Sequence, residues 1–431
     1  MSRQETLLAV FAAVTALCAS QPAEASCPFC PPAQPTISEQ LDNSELAVLA
    51  KWEKIEKPTG ELEGAEPQTT FRILEVFRPP KIAEPELKPG AAITVNFQRD
   101  GKPGEWMLLL RGTDANGLKQ WNISSVDEVS YGYVKNAPRL ERPTNERLSY
   151  FLNYLEHDDP FIANDAFAEF TQAKYQDVAQ LAPKFSREKL RAWLEDMSDA
   201  RLMRHGFYGM LLGLCGNQDD AEYLARRIMS PPVPDKPRLG IDGMMAGYVL
   251  LTGEPGFQRI IDVKLRVTER IESEVTFVMT TLRFLWEYAP DRVPQEKVAA
   301  AMRLLLDDVK YAEIVIIDLA RWKDWEIAPR LIDNYGRPPF ELPSGKQRVV
   351  QFALTAQKHL TKKEQLSPQA KKRLSSINTF LDRLRRDEPN LVESAERSLN
   401  PEPRPVKTDG PRNQLEGNLD VQPAGAANRN P

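Results

Sequence analysis

The feature that most constrains the fold is a change of hydrophobic pattern near Pro138 to Pro143. Before it, residues 44–134 alternate polar and apolar side chains, as in Thr69–Phe77, with the period of two that a half-buried strand requires. After it, residues 145–386 place their apolar side chains three and four apart, which is the spacing of amphipathic helices. Since neither period suits the other structure, we predict an α+β multidomain protein whose β part comes first.

The β part is predicted to contain about five or six short strands, separated by turn-forming pairs such as Pro89-Gly90 and Asp100-Gly101. The predicted strands are Leu46–Trp52, Thr69–Phe77, Ala92–Phe97, Trp106–Leu110, Lys119–Ile123 and Val129–Val134. Short strands joined by tight turns are typical of a small barrel or sandwich.

The order of these segments resembles the TIMP/netrin-type OB-fold module. The resemblance is carried by the cysteine pair in Cys27-Pro28-Phe29-Cys30, then Glu45–Ala50, Thr70–Phe77, Gly90–Val95, Glu105–Leu110 and Val129–Val134. It implies an OB-like β-barrel domain over residues 26–137. Inhibitors of that family carry Cys-x-Cys with the first cysteine at the terminus, whereas this chain has Cys-x-x-Cys. Inhibition of a metalloprotease by the β-domain is therefore a second alternative.

The helical part is predicted to be a series of helices of about ten to eighteen residues, separated by polar, Pro or Gly breaks. Asp159-Pro160, Ser186 and Ser198 are good helix starts, and the helix after Ser198 is expected to run to Cys215. Further predicted helices are Ala221–Met229, Gly243–Leu251, Glu274–Tyr288, Gln295–Asp308, Ala312–Ala320, Ile327–Tyr335, Gln347–His359 and Pro368–Arg385.

The clearest helical hairpin is Ala312–Tyr335, in which Ile314, Ile317 and Leu319 are expected on one face. This series resembles HEAT-type repeats. The resemblance implies an α-solenoid over residues 143–386, built from helical hairpins that stack on their neighbours.

The two ends of the chain differ from the rest in composition. Residues 1–25 have an apolar core at Leu7–Cys18 and the small-x-small pattern Ala23-Glu24-Ala25, which predict a cleaved signal peptide. We therefore expect an exported protein in the periplasm, the cell envelope or the extracellular space. Residues 387–431 are rich in Pro, Asn, Gly and charge, and we predict a disordered tail there.

Export leaves three cysteines in the mature chain, Cys27, Cys30 and Cys215. Cys27 and Cys30 are disulfide candidates, and pairing with Cys215 stays open. A redox-active pair needs a helix after its first cysteine, and haem attachment needs a histidine after the second, where Pro31 stands. We therefore expect a structural role for the pair, with a thiol–disulfide role as the first alternative.

The remaining motifs indicate structural rather than catalytic or ligand-binding roles. His157-Asp158-Asp159 precedes a helix, where Asp159 is expected to cap rather than to bind a metal. Gly206, Gly209 and Gly213 lie inside a predicted helix and indicate the close approach of a neighbouring helix. With only three histidines and no nucleophile or phosphate-binding motif, no catalytic residue, metal site or cofactor is predicted.

The charge and hydropathy of the chain indicate which class of partner it binds. A net charge of -5 does not suggest a nucleic acid or an anionic membrane surface, and no apolar run after the leader is long enough to span a membrane. The predicted partner is another protein, and the predicted function is non-catalytic binding or scaffolding in the cell envelope. Trp322 and Trp325, three apart beside a turn, are the candidate surface contacts.

Overall fold

The computed structural model describes residues 27, 29–30, 34–57, 66–82, 84–113, 118–231 and 238–399. It is a mixed α+β structure with one five-stranded sheet near the amino end, followed by many helices. The predicted leader and residues 400–431 lie outside the described residues. The chain divides into two compact units, Met1–Leu305 and Leu306–Pro431.

The sheet is antiparallel, with the strand order β3-β2-β1-β4-β5. Its strands are β1 (Leu46–Glu56), β2 (Gln68–Arg78), β3 (Ala92–Val95), β4 (Trp106–Thr113) and β5 (Lys119–Ser125). Alternate residues of β1, β2, β3 and β4 form one core cluster on one face, as the period of two requires. Within the described strands the pairing ends at β3 on one edge and β5 on the other. The sheet is confirmed, and the closure of the predicted barrel is not seen in these pairings.

The first unit contains the sheet and thirteen described helices. They are α1 (Ile37–Asn43), α2 (Glu128–Asn136), α3 (Thr144–Phe151), α4 (Pro160–Gln172), α5 (Tyr175–Ala179), α6 (Arg187–Glu195), α7 (Asp199–Leu202), α8 (His205–Cys215), α9 (Gln218–Met229), α10 (Ile241–Thr252), α11 (Glu254–Lys264), α12 (Glu272–Tyr288) and α13 (Gln295–Arg303). The second unit contains α14 (Ala312–Arg321), α15 (Ala328–Asp333), α16 (Pro343–Thr361), α17 (Pro368–Asp387) and α18 (Pro389–Leu399). Short 3₁₀ turns occur at Leu152–Tyr154, Ala182–Lys184 and Trp325–Ile327.

The predicted strand Val129–Val134 is wrong, because this segment lies in helix α2. The Asp127 side chain accepts the backbone N–H of Ser130 at 2.7 Å, and the Ser130 hydroxyl accepts the N–H of Asp127 at 2.8 Å. This reciprocal cap satisfies two of the backbone donors at the helix start. Tyr131 then packs edge-on against Phe77 of β2, so α2 lies on the sheet instead of extending it.

The glycines of α8 allow a very close approach to α10. A Cβ atom on Gly209 would lie 2.7 Å from the Cα of Met244, which is closer than real Cβ contacts. Gly243 and Gly247 of α10 are equally close to α8, because a Cβ atom on either would overlap backbone atoms of Gly206 or Gly209. The predicted close helix approach is confirmed. The long helix predicted from Ser198 to Cys215 is instead two helices, α7 and α8.

Two details differ from the expected ranges and faces. The domain boundary at residues 138–143 stays a prediction, and the division between the two compact units lies at Leu305. Helix α18 occupies part of the predicted disordered tail and buries Val392 and Ala395. On α14 the buried face contains Val315, Ile316 and Leu319, whereas Ile314 and Ile317 are exposed.

Candidate functional site

The Cys-x-x-Cys segment is bound to the helices of the first unit. Cys27 and Cys30 form a disulfide with Cα atoms 5.5 Å apart. The backbone N–H of Cys27 donates to the carbonyl oxygen of Thr171, near the end of α4, at 3.2 Å. Cys215 is a free, half-buried thiol, and burial raises its pKa to about 11. Pairing between Cys27 and Cys215 is therefore not the arrangement in this structure.

Phe29, between the two cysteines, anchors the segment. Its side chain is only 7% exposed, and its ring centroid lies 5.0 Å from that of Phe284 on α12. A Cβ atom on Gly206 would lie 2.9 Å from the Phe29 carbonyl oxygen. The first of the three α8 glycines therefore makes room for this turn, while Gly209 and Gly213 make room for α10.

The chain after the disulfide is held by Asp165 of α4. One Asp165 carboxyl oxygen accepts the backbone N–H of Ile37 at 2.6 Å, and the other accepts the hydroxyl of Tyr133 at 2.6 Å. Helix α1 begins here because Thr36 and Glu39 form a reciprocal capping box. Asp165 thus joins α1, α2 and α4 at one buried point.

The Asp165 junction is electrostatically unusual. Burial raises the pKa of Asp165 to about 6, although its two hydrogen bonds act in the opposite direction. Burial also raises the pKa of Glu169, one helical turn later, against the charge of its ion-pair partner Arg147. The same burial, together with the charge of Asp165, raises the pKa of Tyr133. A perturbed carboxyl beside a cavity marks a candidate functional site.

A cleft of about 520 Å³ opens beside this junction, and we name it the terminal cleft. It lies between the amino-terminal segment on one side and α4 and α7 on the other. It is lined by Gln34, Pro35, Ile37, Gln40, Phe161, Asn164, Asp165, Phe167, Ala168, Thr171, Ala200, Met203 and Arg204.

The charged groups at the terminal cleft are already engaged by the protein. The Arg204 guanidinium donates to the carbonyl oxygen of Leu155 at 2.9 Å and to Asn164 Oδ1 at 2.6 Å, and it lies 4.8 Å over the ring of Phe167. Both carboxyl oxygens of Asp165 also accept hydrogen bonds, as described above. The cleft therefore suits an apolar group better than a charged one, because a charged ligand would lose its hydration while the opposing charges of Arg204 and Asp165 already have partners within the protein.

The residues singled out in the sequence lie outside the terminal cleft. Asp159 caps α4 by accepting the backbone N–H of Phe161 at 2.9 Å, as predicted, and His157 Nδ1 accepts the N–H of Asp159. Across the described ranges, no group of three or more His, Cys, Asp or Glu side chains is arranged to hold a metal ion.

Trp322 and Trp325, the candidate surface contacts, lie in the second unit and are buried, with 8% and 6% exposure. The Trp325 ring lies 5.3 Å from that of Phe352 and 5.6 Å from that of His359. Trp322 and Trp325 were selected as exposed aromatic residues, and in the structure both side chains are buried.

Sequence reasoning missed the Asp165 junction although α4 carries a signal for it. Asp165 and Glu169 follow Ile162 by three and seven residues, so they lie on the same helical stripe as the buried Ala166 and Phe170. Acidic residues within an apolar stripe indicate a buried polar contact. Arg204 gave no comparable signal, because the break between α7 and α8 that positions it is not visible in the pattern.

Comparisons with known proteins find no matching family model, no matching curated protein and no matching solved structure. In the part of the chain that the structure describes, no helix has both the length and the apolar character needed to cross a membrane.

Proposed function

We propose that this chain is an exported, non-catalytic binding protein whose terminal cleft receives an apolar side chain of a partner polypeptide. The observation that carries the proposal is that the cleft is open and apolar while its charged groups are engaged within the protein. Burial of an apolar side chain in this cleft stabilises the complex, because each Å² of apolar surface removed from water contributes roughly 25 cal/mol.

The rim of the cleft favours a polypeptide partner. Gln34 and Asn164 are exposed at the rim, whereas Ile37, Phe167 and Ala168 are buried at the floor. A polar rim around an apolar floor is the anatomy of a protein–protein contact, in which one anchoring side chain enters a pocket. Met203 is 52% exposed at the cleft, and its flexible thioether can adapt to an incoming side chain.

In this proposal the two folded parts of the chain position the residues that line the terminal cleft. The sheet is an OB-like module resembling the TIMP/netrin type, and the helices are stacked hairpins of the HEAT type. Serial helices with close glycine contacts between α8 and α10 support the second part. Among the described residues, no specific observation favours the redox or the protease-inhibitor alternative over binding.

Photocrosslinking tests the proposal. A benzophenone amino acid replaces Met203 in the exported protein, and the control places it at Ile271, which is 46% exposed and does not line the cleft. We expect Met203 to crosslink one envelope protein that the Ile271 position does not. That protein is then identified by mass spectrometry and purified for binding measurements.

A matched pair of substitutions completes the test. Met203→Asp puts a charge at the cleft, whereas Met197→Asp puts the same charge on a methionine that is 62% exposed and outside the lining. Met203→Asp should weaken binding of the purified partner about tenfold or more, because the new charge would be desolvated. Met197→Asp should leave binding unchanged. Equal binding by both variants, or no position-specific crosslink, would show that the cleft does not receive the partner.

A further inference from the structure

A second surface, in the second unit, carries a strong positive charge. Residues 358–373 contain six cationic side chains and one acidic side chain, Glu364. The cationic residues are Lys358, Lys362, Lys363, Lys371, Lys372 and Arg373. This local excess is hidden by the net charge of -5 for the whole chain. We name this segment, with the lysine described next, the basic end.

The fold adds Lys323 to this segment. Lys323 lies in the turn after α14 and has a φ of 60°. Burial lowers the pKa of His359, and the positive charges of Lys323 and Lys363 lower it further. The ring of Trp325, two residues after Lys323, lies 5.6 Å from the His359 ring, which places the turn after α14 beside the end of α16. The basic end is thus a joint surface of the turn after α14 and of the turn between α16 and α17.

The lysines of the basic end are available for a partner. Lys323, Lys358, Lys362, Lys363, Lys371 and Lys372 are all exposed. Within the described part of α16 and α17, the ion pairs are formed by Lys346 with Glu388 and by Arg385 with Asp382 and Glu396. None of them uses a lysine of the basic end.

The local electrostatics disfavour this arrangement in the isolated protein. Helix α17 begins at Pro368 with no acidic residue in its first turn, and Lys371 and Lys372 follow at once. The amino end of a helix carries a partial positive charge and favours acidic side chains. Like charges clustered at such a position repel each other, and a binding surface is a common reason for keeping an unfavourable local arrangement.

We propose that the basic end binds the anionic headgroups of a phospholipid surface. Six of its seven cationic side chains are lysines, which act as hydrated point charges toward a diffuse negative surface. Recognition of single-stranded nucleic acid instead relies on aromatic side chains for base stacking, and residues 358–373 contain no Phe, Tyr or Trp. The contact is peripheral and electrostatic, and it is independent of the terminal cleft.

Vesicle binding by the full-length protein tests this inference. The probes are phosphatidylcholine vesicles with and without phosphatidylglycerol, used at low and at high salt. The variant Lys362→Gln/Lys363→Gln/Lys371→Gln/Lys372→Gln removes four charges from the basic end. The control Lys51→Gln/Lys81→Gln/Lys88→Gln/Lys102→Gln removes four charges from exposed lysines in and around the sheet. Circular dichroism checks that both variants are folded.

We expect the native protein to sediment with the phosphatidylglycerol vesicles at low salt, to be released at high salt, and not to bind phosphatidylcholine alone. The basic-end variant should lose affinity at least about tenfold, and the control should match the native protein. Equal loss in both variants, salt-insensitive binding, or no binding by the native protein would overturn the inference. Binding of a single-stranded oligonucleotide but not of vesicles would also overturn it and indicate a nucleic acid partner.

Discussion

At the scale of single residues, two carboxyl groups of the first unit, the buried Asp165 and the half-buried Asp242, have raised pKa values. Burial raises the pKa values of both Asp165 and Asp242 to about 6. Asp165 is compensated by the Tyr133 hydroxyl and the Ile37 N–H, whereas Asp242 Oδ1 accepts the N–H of the next residue, Gly243, at 2.9 Å. Asp242 therefore offers the simpler test of what a partly desolvated charge costs this fold.

We predict that Asp242→Asn stabilises the protein at neutral pH. The pKa of Asp242 is raised from 3.8 in the unfolded chain to about 6 in the fold, so the folded protein binds the extra proton between these values. The stability of the native protein should therefore fall as pH rises through this window. The variant should be more stable by at most about 3 kcal/mol near pH 7, since each pKa unit corresponds to about 1.4 kcal/mol.

Urea denaturation across this pH range measures the difference, which should vanish below pH about 4, where Asp242 is protonated in both states. Asp333→Asn, at an exposed position on α15, is the control and should show no pH-dependent change. If the stability of Asp242→Asn followed that of the native protein at every pH, the charge of Asp242 would not destabilise the fold.

At the scale of elements, the contact between α8 and α10 depends on glycine because backbone packs directly on backbone. A Cβ atom on Gly247 would overlap the carbonyl oxygen of Gly209, and one on Gly213 would overlap Gly247 in turn. Gly132 of α2 is different, because a Cβ atom there would meet no atom within 4 Å. Alanine at Gly247 therefore measures the cost of overpacking, whereas alanine at Gly132 measures the intrinsic preference of a helix for alanine over glycine.

We predict opposite effects for alanine at these two glycines. Gly247→Ala should destabilise the protein by about 1–3 kcal/mol or more, because α8 and α10 must move apart. Gly132→Ala should stabilise it by about 0.5–1 kcal/mol, because alanine has the higher helix propensity and space is available. Denaturant midpoints measure both. A neutral Gly247→Ala would mean that the two helices are not in backbone contact.

At the scale of the whole molecule, the amino-terminal segment connects the sheet to the helices of the first unit. The anchor is Phe29 on Phe284, reinforced by hydrogen bonds from Cys27 to Thr171 and from Ile37 to Asp165. The disulfide closes a loop with a sequence separation of only three residues. Since the chain-entropy contribution of a disulfide grows with loop length, apolar burial of Phe29 should contribute more to stability than the covalent bond.

We therefore predict that Phe29→Ala costs more stability than Cys27→Ser/Cys30→Ser. Truncation of a buried phenylalanine typically costs about 3–5 kcal/mol, and the position of this one near the chain terminus should place it at the lower end. The double serine variant should keep the fold and loosen the terminus. Thermal unfolding of the two variants beside the native protein measures the order, and a reversed order would show that the disulfide is the main anchor.

Much of the architecture was predictable because it depends on local periodicity. The first five strands and most of the long helices lie within a few residues of the expected ranges, since the side-chain period expresses which face is buried. The misassigned segment, Val129–Val134, was decided by the Asp127 and Ser130 cap, which overrode the propensity of valine and tyrosine for strands. Helix α11, after Gly253, was missed, and only tertiary packing distinguishes it from a loop.

The candidate site was not predictable in the same way. The sequence by itself determined that α4 would bury a stripe containing Asp165 and Glu169, because helical geometry places them beside Ala166 and Phe170. Only the tertiary structure decided what those carboxyl groups meet, since Ile37 is 128 residues from Asp165. The terminal cleft likewise exists only where the amino-terminal segment crosses α4 and α7. Periodicity reports which faces are buried, whereas partners distant in sequence are selected by the packing of the whole chain.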